Sequence, residues 1–229
     1  MELRKFIATT IYEYLNESII HSHDLFTIND IDALKIFIRN KHNIELEDVL
    51  GMGSSGIAFS TSKNNIVFKL TTDKKEYNVS KKLNNNKNIH LNNYYDSFKI
   101  NKSQLLKKGI INFKKNSFNT YNLYGILVEK VDNLNDPIIK KIIDKMSKVL
   151  TYNLDWKEYL EDINFVTYDR LKFYGIEPNI QNLKKFKWTF NQLNRIFNEL
   201  DYNNIEKVDI NSGNIGIKNN KLILYDIST

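Results

Sequence analysis

The sequence predicts an α+β fold in two parts, a mostly antiparallel sheet with one key helix and then a mainly helical region. Three observations predict it. Between residues 46 and 133, short apolar runs of strand length alternate with turn signals at hairpin spacing, and Leu123 to Val131, LYGILVEKV, is the best candidate for a buried strand. The stretch DNLNDP that follows reads as a linker, and beyond it the composition turns helical. At the C-terminus, VDINSGNIGIKNNKLILYDI reads as a short loop and a hairpin, with Ile215–Lys218 and Leu222–Tyr225 as strands and Asn219-Asn220 as the turn.

The composition narrows what the chain can be. At 229 residues it has room for one large domain or two small lobes, and 41% apolar residues suffice for a core. No apolar run is long enough for a membrane span. The N-terminus is amphipathic, carries acids and lacks the apolar centre of a secretory signal, so a cytoplasmic location is expected. The absence of cysteine excludes disulfides, thiol chemistry and cysteine–zinc sites. The net charge of +6 is mild, and its lysines are scattered among asparagines and isoleucines, as in an AT-rich viral or phage genome. Lys107-Lys108, Lys114-Lys115 and Lys184-Lys185 are pairs rather than runs, so a nucleic-acid partner is not expected.

Taken in order, residues 3–16 read as a helix, 18–26 as a polar break and 29–41 as a second helix. His21 and His23 in the break lack the further ligands a metal would need and read as loop histidines. Val49-Leu50 ends a strand. Gly51, Gly53 and Gly56 then form G-x-G-x-x-G with Ser54 and Ser55 inside it, and Ile57–Thr61 and Ile66–Leu70 read as strands around a Lys63-Asn64-Asn65 turn. Three readings compete for this stretch. One is a flexible lid over nucleotide phosphates, the second a glycine-rich hairpin without a ligand. The third is a dinucleotide site, which requires a helix to start within the glycines and an acid such as Glu76 some twenty residues on.

Lys69 stands in the apolar strand V-F-K-L, where an inward ammonium needs an anion; the alternative is a solvent-facing lysine. Asp73 can cap a helix running to about Leu83, with Glu76, Val79 and Leu83 on one stripe and Tyr77 beside it. An inward Glu76 could then pair with Lys69; otherwise it makes local surface contacts. Residues 84–93 read as an asparagine-rich loop, Tyr94–Ile100 as a strand, and Gly109–Phe113 as a short strand in a lysine-rich stretch. Pro137 opens a helix to about Leu150, and 155–173 and 180–201 read as two more. Trp156, Tyr159, Phe165, Phe173, Phe186, Trp188, Phe190, Leu193 and Phe197 are the expected core of that region.

Asp209 and Asn214 lie five apart on the final loop, and a hairpin would return Asp226 to the neighbourhood of Asn214. Oxygen side chains gathered in this way suit a hard cation such as magnesium. A polar loop followed by an ordinary surface hairpin is the competing reading.

A glycine lid, a strand lysine, a helix glutamate, a strand and linker, then Asp-x4-Asn, a hairpin and a final Asp: this order resembles the protein-kinase-like superfamily over roughly residues 50–226. The form D-I-N-S-G-N is similar to the D-x-x-x-G-N loop of aminoglycoside and choline phosphotransferases and related atypical kinases. The resemblance implies a two-lobed kinase-like fold: a helical extension at 1–45, a sheet lobe at 46–133 and a short helical lobe at 134–229. It implies an ATP- and Mg2+-dependent phosphotransferase, an atypical serine/threonine kinase in the first place. Gly51, Gly53, Ser54, Ser55 and Gly56 would cover the phosphates, Lys69 would hold the α- and β-phosphates and pair with Glu76, and Glu129 to Val131 would meet adenine. Asp209 would orient or deprotonate an acceptor hydroxyl on a protein or small molecule, and Asn214 and Asp226 would hold magnesium. The sequence departs from the family in having Lys207-Val208 before the Asp, Asp226-Ile-Ser in place of Asp-Phe-Gly, and an end three residues after Asp226. A pseudokinase or nucleotide-binding interaction module is the first alternative; a small-molecule kinase or AMP transferase is the second.

Overall fold

The computed structural model describes residues 20–21, 26–53, 55–84, 86, 88–113, 121–152, 166–205 and 209–227. The expected helix over 3–16, Ser54, His23 and the 155–165 part of the predicted helix, with Trp156, Tyr159 and Phe165, lie outside these residues. The chain is α+β, with antiparallel pairing throughout its sheets. It divides into two compact units, one of residues up to Lys81 together with Tyr94–Lys130, the other of Lys82–Asn93 together with residues from Val131 on.

The first unit is organised on a five-stranded sheet. Its strands are β3 (Leu46–Met52), β4 (Gly56–Thr61), β5 (Ile66–Thr71), β6 (Tyr94–Ile100) and β8 (Leu123–Glu129), in the order β3-β4-β5-β8-β6. Helix α1 (Ile31–His42) begins at Asp30, whose side chain accepts from the Ala33 amide, and ends at Asn43 in the left-handed region. Its Leu34, Phe37 and Ile38 share a core with Phe59 and Phe68, which are register partners on β4 and β5. The His42 ring stacks on Phe98 at 3.9 Å. Gly125 on β8 makes room for the Phe98 and Phe68 rings: a Cβ there would lie 2.6 Å from Phe98 and 2.8 Å from Phe68.

Side chains alternate across a strand, so Ala58, Lys69 and Ile126, which are paired in register, occupy the opposite face. Helix α2 (Lys74–Leu83) serves that face, with Tyr77 stacked on the buried Tyr124 at 4.2 Å. Ser80, not Val79, is the fully buried residue of its middle turn.

Two stretches to which the sequence assigned no element hold one in this unit. The 18–26 break contains β1 (Ile20–His21), which pairs with β2 (Phe26–Ile28), and β2 pairs in turn with β7 (Ile111–Phe113). The lysine-rich stretch before β7 holds a short helix, α3 (Lys102–Lys107), capped by the Asn101 side chain. Gly109, at φ 67°, turns the chain out of it.

In the second unit, α4 (Pro137–Tyr152) starts at Asp136, whose carboxylate accepts from the Ile138 and Ile139 amides and pairs with Lys185 at 2.6 Å. Burial alone would raise the Asp136 pKa, but Lys185 and the two amides outweigh it and hold the group below its ordinary value. Helix α5 (Tyr168–Phe173) begins after Thr167, which has extended backbone and accepts from the Arg170 amide, so the predicted 155–173 helix is not continuous. Within α5, Leu171 and then Tyr174 just beyond it take the inward positions, and Phe173, expected in the core, is 71% exposed. Helix α6 (Ile180–Tyr202) contributes Phe186, Phe190, Leu193 and Ile196 to the core, while Trp188 and Phe197 are half-buried.

The expected linker at 132–137 begins with a strand, β9 (Asp132–Asn133), at the edge of a three-stranded sheet. Its partner β10 (Ile215–Lys218) carries Gly216, where a Cβ would lie 2.5 Å from the Asp132 carbonyl; glycine is what permits the pairing. β10 and β11 (Lys221–Leu224) form the predicted hairpin, and Asn219 and Asn220 have φ of 48° and 58°, as a two-residue primed turn requires. The asparagine-rich loop is tied down. Glu199 accepts from the Ile89 and His90 amides, and Leu91 bridges to Leu224.

Candidate functional site

The predicted site residues fall into two groups, one in each unit. In the first unit the glycines span a strand-to-strand connection, with Gly51 in β3, Gly53 in the loop and Gly56 opening β4. The helix that a dinucleotide site requires is therefore absent from this position. The loop is closed by the Gly53 amide donating to the Gly56 carbonyl at 2.8 Å. The Ser55 carbonyl accepts from the Thr72 amide at 2.8 Å, the Thr72 hydroxyl at 3.1 Å and the Thr71 hydroxyl at 3.3 Å.

The three glycines differ in why they are there. A Cβ on Gly56 would meet the Leu70 carbonyl at 2.6 Å, so close strand approach demands glycine. Gly51 and Gly53 have ordinary backbone, a Cβ on Gly51 would meet no atom within 4 Å, and one on Gly53 would come no closer than 4.0 Å to any. Neither is required by the packing of the chain itself.

Lys69 and Glu76 are brought together. The Lys69 ammonium lies 2.6 Å from Glu76 Oε1, with the lysine side chain 18% and the glutamate 2% exposed. The spacing of seven residues is sufficient because α2 begins immediately. Asp73 Oδ1 accepts from the Lys75 amide at 2.7 Å and the Glu76 amide at 3.2 Å, which sets Glu76 in the first turn, facing the sheet. Removing one partner of such a pair strands a buried charge at a cost of roughly 3–5 kcal/mol.

Glu129 ends β8, and its carboxylate accepts from the Tyr95 hydroxyl at 3.3 Å. Partial burial and, secondarily, Glu129 raise the Tyr95 pKa. The Lys130 amide donates to the Asn65 carbonyl at 2.8 Å, so it is not on offer to a base. Val131 is half-buried, at the start of the second unit.

In the second unit, Asp209 is exposed and its Oδ2 accepts from the Asn211 side chain at 2.7 Å. The Asn214 side-chain nitrogen donates to the Asp209 carbonyl at 2.8 Å, which leaves Asn214 Oδ1 as the atom able to meet a cation. The Asn214 carbonyl in turn accepts from the Tyr225 amide at 3.0 Å and the Asp226 amide at 3.4 Å. The hairpin thus returns Asp226 beside Asn214, as expected from the sequence. The Tyr225 hydroxyl donates to the Gly213 carbonyl.

Among the described residues no group of three His, Cys, Asp or Glu side chains could hold a metal. The pair Asn214 and Asp226 offers one neutral and one charged oxygen ligand. That set fits magnesium, which keeps several waters and commonly completes its shell with substrate phosphates.

Sequence reading missed Asp144, Asn211 and Tyr225. Asp144 lies among Lys140, Lys141 and Lys148 on the polar side of α4, away from the buried Ile139, Ile142, Ile143 and Met146, so the pattern carried no signal for it. An open hollow lined by Tyr168, Lys172, Pro178 and Ile180 contains none of the predicted residues. No described helix is long and apolar enough to cross a membrane. No protein-family model matches the chain, and no curated protein matches it either.

Proposed function

We propose that the protein is an ATP- and magnesium-dependent phosphotransferase of protein-kinase-like type, acting on a hydroxyl of a protein or small molecule. The observation that carries this reading is the Lys69–Glu76 ion pair, at 2.6 Å and with the glutamate almost wholly buried. A buried carboxylate is costly unless it does something the apolar alternative cannot. Here it holds an ammonium on the strand next to the one that leaves the glycine loop. Gly51 and Gly53, which the fold itself does not require, are suited to a ligand that approaches the backbone closely.

In this reading Gly51, Gly53, Ser54, Ser55 and Gly56 cover the phosphates, the glycines letting the backbone approach them closely. Lys69 neutralises the α- and β-phosphates, and Glu76 fixes its direction. Glu129 and Val131 supply the contacts to adenine. Asn214 Oδ1 and the Asp226 carboxylate hold the cation, which when bound neutralises charge on the terminal phosphates. Asp209 orients the acceptor hydroxyl and takes its proton. Such a site works by positioning and charge neutralisation, since phosphoryl transfer needs little covalent help from protein.

The test is direct. Mg-ATP well above its dissociation constant raises the melting temperature by linkage, and label from γ-labelled ATP appears on an acceptor. No shift with ATP, ADP or GTP at millimolar concentration would sink the reading. Tight Mg-ATP binding without transfer to any acceptor would make the chain a nucleotide-binding module instead.

A further inference from the structure

We infer that Asp144 is a positioning residue that anchors the Asp209–Asn214 loop. Its catalytic consequence rests on the phosphotransferase reading above. Asp144 Oδ1 accepts from the Ser212 amide at 2.8 Å, and Oδ2 accepts from the Ser212 hydroxyl at 3.0 Å. Both carboxylate oxygens are thus engaged by one residue, and that residue lies between Asp209 and Asn214. Charge-assisted bonds of this kind are short and about twice as strong as neutral ones.

The anchor itself stands on rigid ground. Asp144 is in α4, where Ile142, Ile143 and Met146 are fully buried. The start of α4 is fixed by Asp136 and its bond to Lys185 on α6. The loop's shape is set from within: Asn211 Oδ1 accepts from the Gly213 amide at 2.8 Å, and the Asn211 carbonyl accepts from the Asn214 amide at 3.1 Å. These local bonds do not determine where the loop stands. Tyr225 ties its end to the hairpin, and Asp144 ties its middle to α4 across 68 residues of sequence. Asp209 is exposed, so its place is inherited from the loop beneath it.

Loss of such an anchor moves the Asp209 carboxylate relative to an acceptor, and Asn214 Oδ1 with it, and leaves the contacts of Lys69 and the glycine loop alone. Asp144→Ala therefore lowers kcat by about 10²-fold, the scale of a misplacement near 1 Å, while metal-free ATP binds as to the parent. Asp144→Asn retains most of kcat, because its amide can accept from the Ser212 N–H and donate to the hydroxyl. Ser212→Ala, which loses only the hydroxyl bond, falls between the parent and Asp144→Ala, and it supplies the answer should Asp144→Ala fail to fold.

A second readout does not depend on activity. Amide hydrogen exchange at Ser212 accelerates in Asp144→Ala while the amides of α4 keep their protection. Unchanged kcat in both Asp144→Ala and Ser212→Ala, or unchanged Ser212 protection in Asp144→Ala, overturns the inference. A parent that transfers phosphate to nothing overturns the phosphotransferase reading, and the exchange measurement then decides the anchor by itself.

Discussion

The two groups of candidate residues are held in opposite ways. Lys69 and Glu76 stand on a central strand and a helix, and their ion pair is shielded from water. Asp209 and Asn214 stand on a loop, with Asp209 exposed and the loop shaped by hydrogen bonds among its own residues, Tyr225 and Asp144. The first arrangement couples the site to stability: the charge cannot be removed without leaving its partner buried. The second allows side chains to be changed at little cost to the fold, because the exposed acid does not support the core. A substitution in one group should therefore be read by melting, and in the other by kinetics.

The largest expected effect tests the second group. Asp226→Ala abolishes transfer and removes the magnesium dependence of ATP binding, seen by titrating ATP with and without the metal. If the variant binds Mg-ATP like the parent, Asp226 is not the metal ligand.

The next tests the first group. Lys69→Ala costs roughly 3–5 kcal/mol of stability in denaturant melts, because Glu76 is left buried without its cation. Replacing both, as Lys69→Met with Glu76→Leu, restores most of that loss while nucleotide affinity stays low. A Lys69→Ala protein as stable as the parent would erase the contrast between the two groups.

Asp209→Ala sharpens it from the other side. Turnover falls on the order of 10²-fold if the residue acts as a base, with the melting temperature and Mg-ATP affinity kept. Full activity in this variant would remove Asp209 from the mechanism.

A smaller effect comes from His90, a buried residue of the asparagine-rich loop. Burial lowers its pKa below the ordinary 6.5; the Leu222 carbonyl and Glu199 oppose the shift, and Arg195 and Lys221 add to it. The folded state therefore binds fewer protons than the unfolded chain in acid. Stability is unaffected above pH 6.5 and is lost as the pH falls through 6.5 towards the folded pKa. Chemical denaturation at intervals across that range should show a shallower acid slope in His90→Gln. His42, lowered chiefly by burial in the first unit, keeps its own share of the slope.

The smallest effect is at the hairpin turn. Asn220, at φ 58°, accepts glycine readily and a β-branched residue poorly. Asn220→Gly is neutral or slightly stabilising, and Asn220→Val costs on the order of 1–2 kcal/mol, both read from denaturant midpoints.

What the sequence by itself determined is what neighbours along the chain decide. Asp73 followed by a helical pattern placed Glu76 in a first turn; Pro137 after Asp136 opened α4; Asn219-Asn220 between alternating strands specified the hairpin, and with it the return of Asp226 to Asn214. In each case the governing interaction spans a few residues, so period, cap and turn chemistry suffice to read it. What only the tertiary structure decided depends on groups far apart in sequence. Asp132-Asn133 reads as linker until β10 offers an edge and Gly216 admits it. The Lys130 amide is taken up by the Asn65 carbonyl, and the 84–93 loop is fastened by Glu199. Phe173 is apolar yet exposed, because Leu171 and Tyr174 already take the inward positions. Asp144 is an acid on the polar side of an amphipathic helix, with nothing in its neighbours to name its partner. Its two bonds to Ser212 arise only when packing brings the helix and the loop together, since a carboxylate's role is set by the donors that the fold delivers to it.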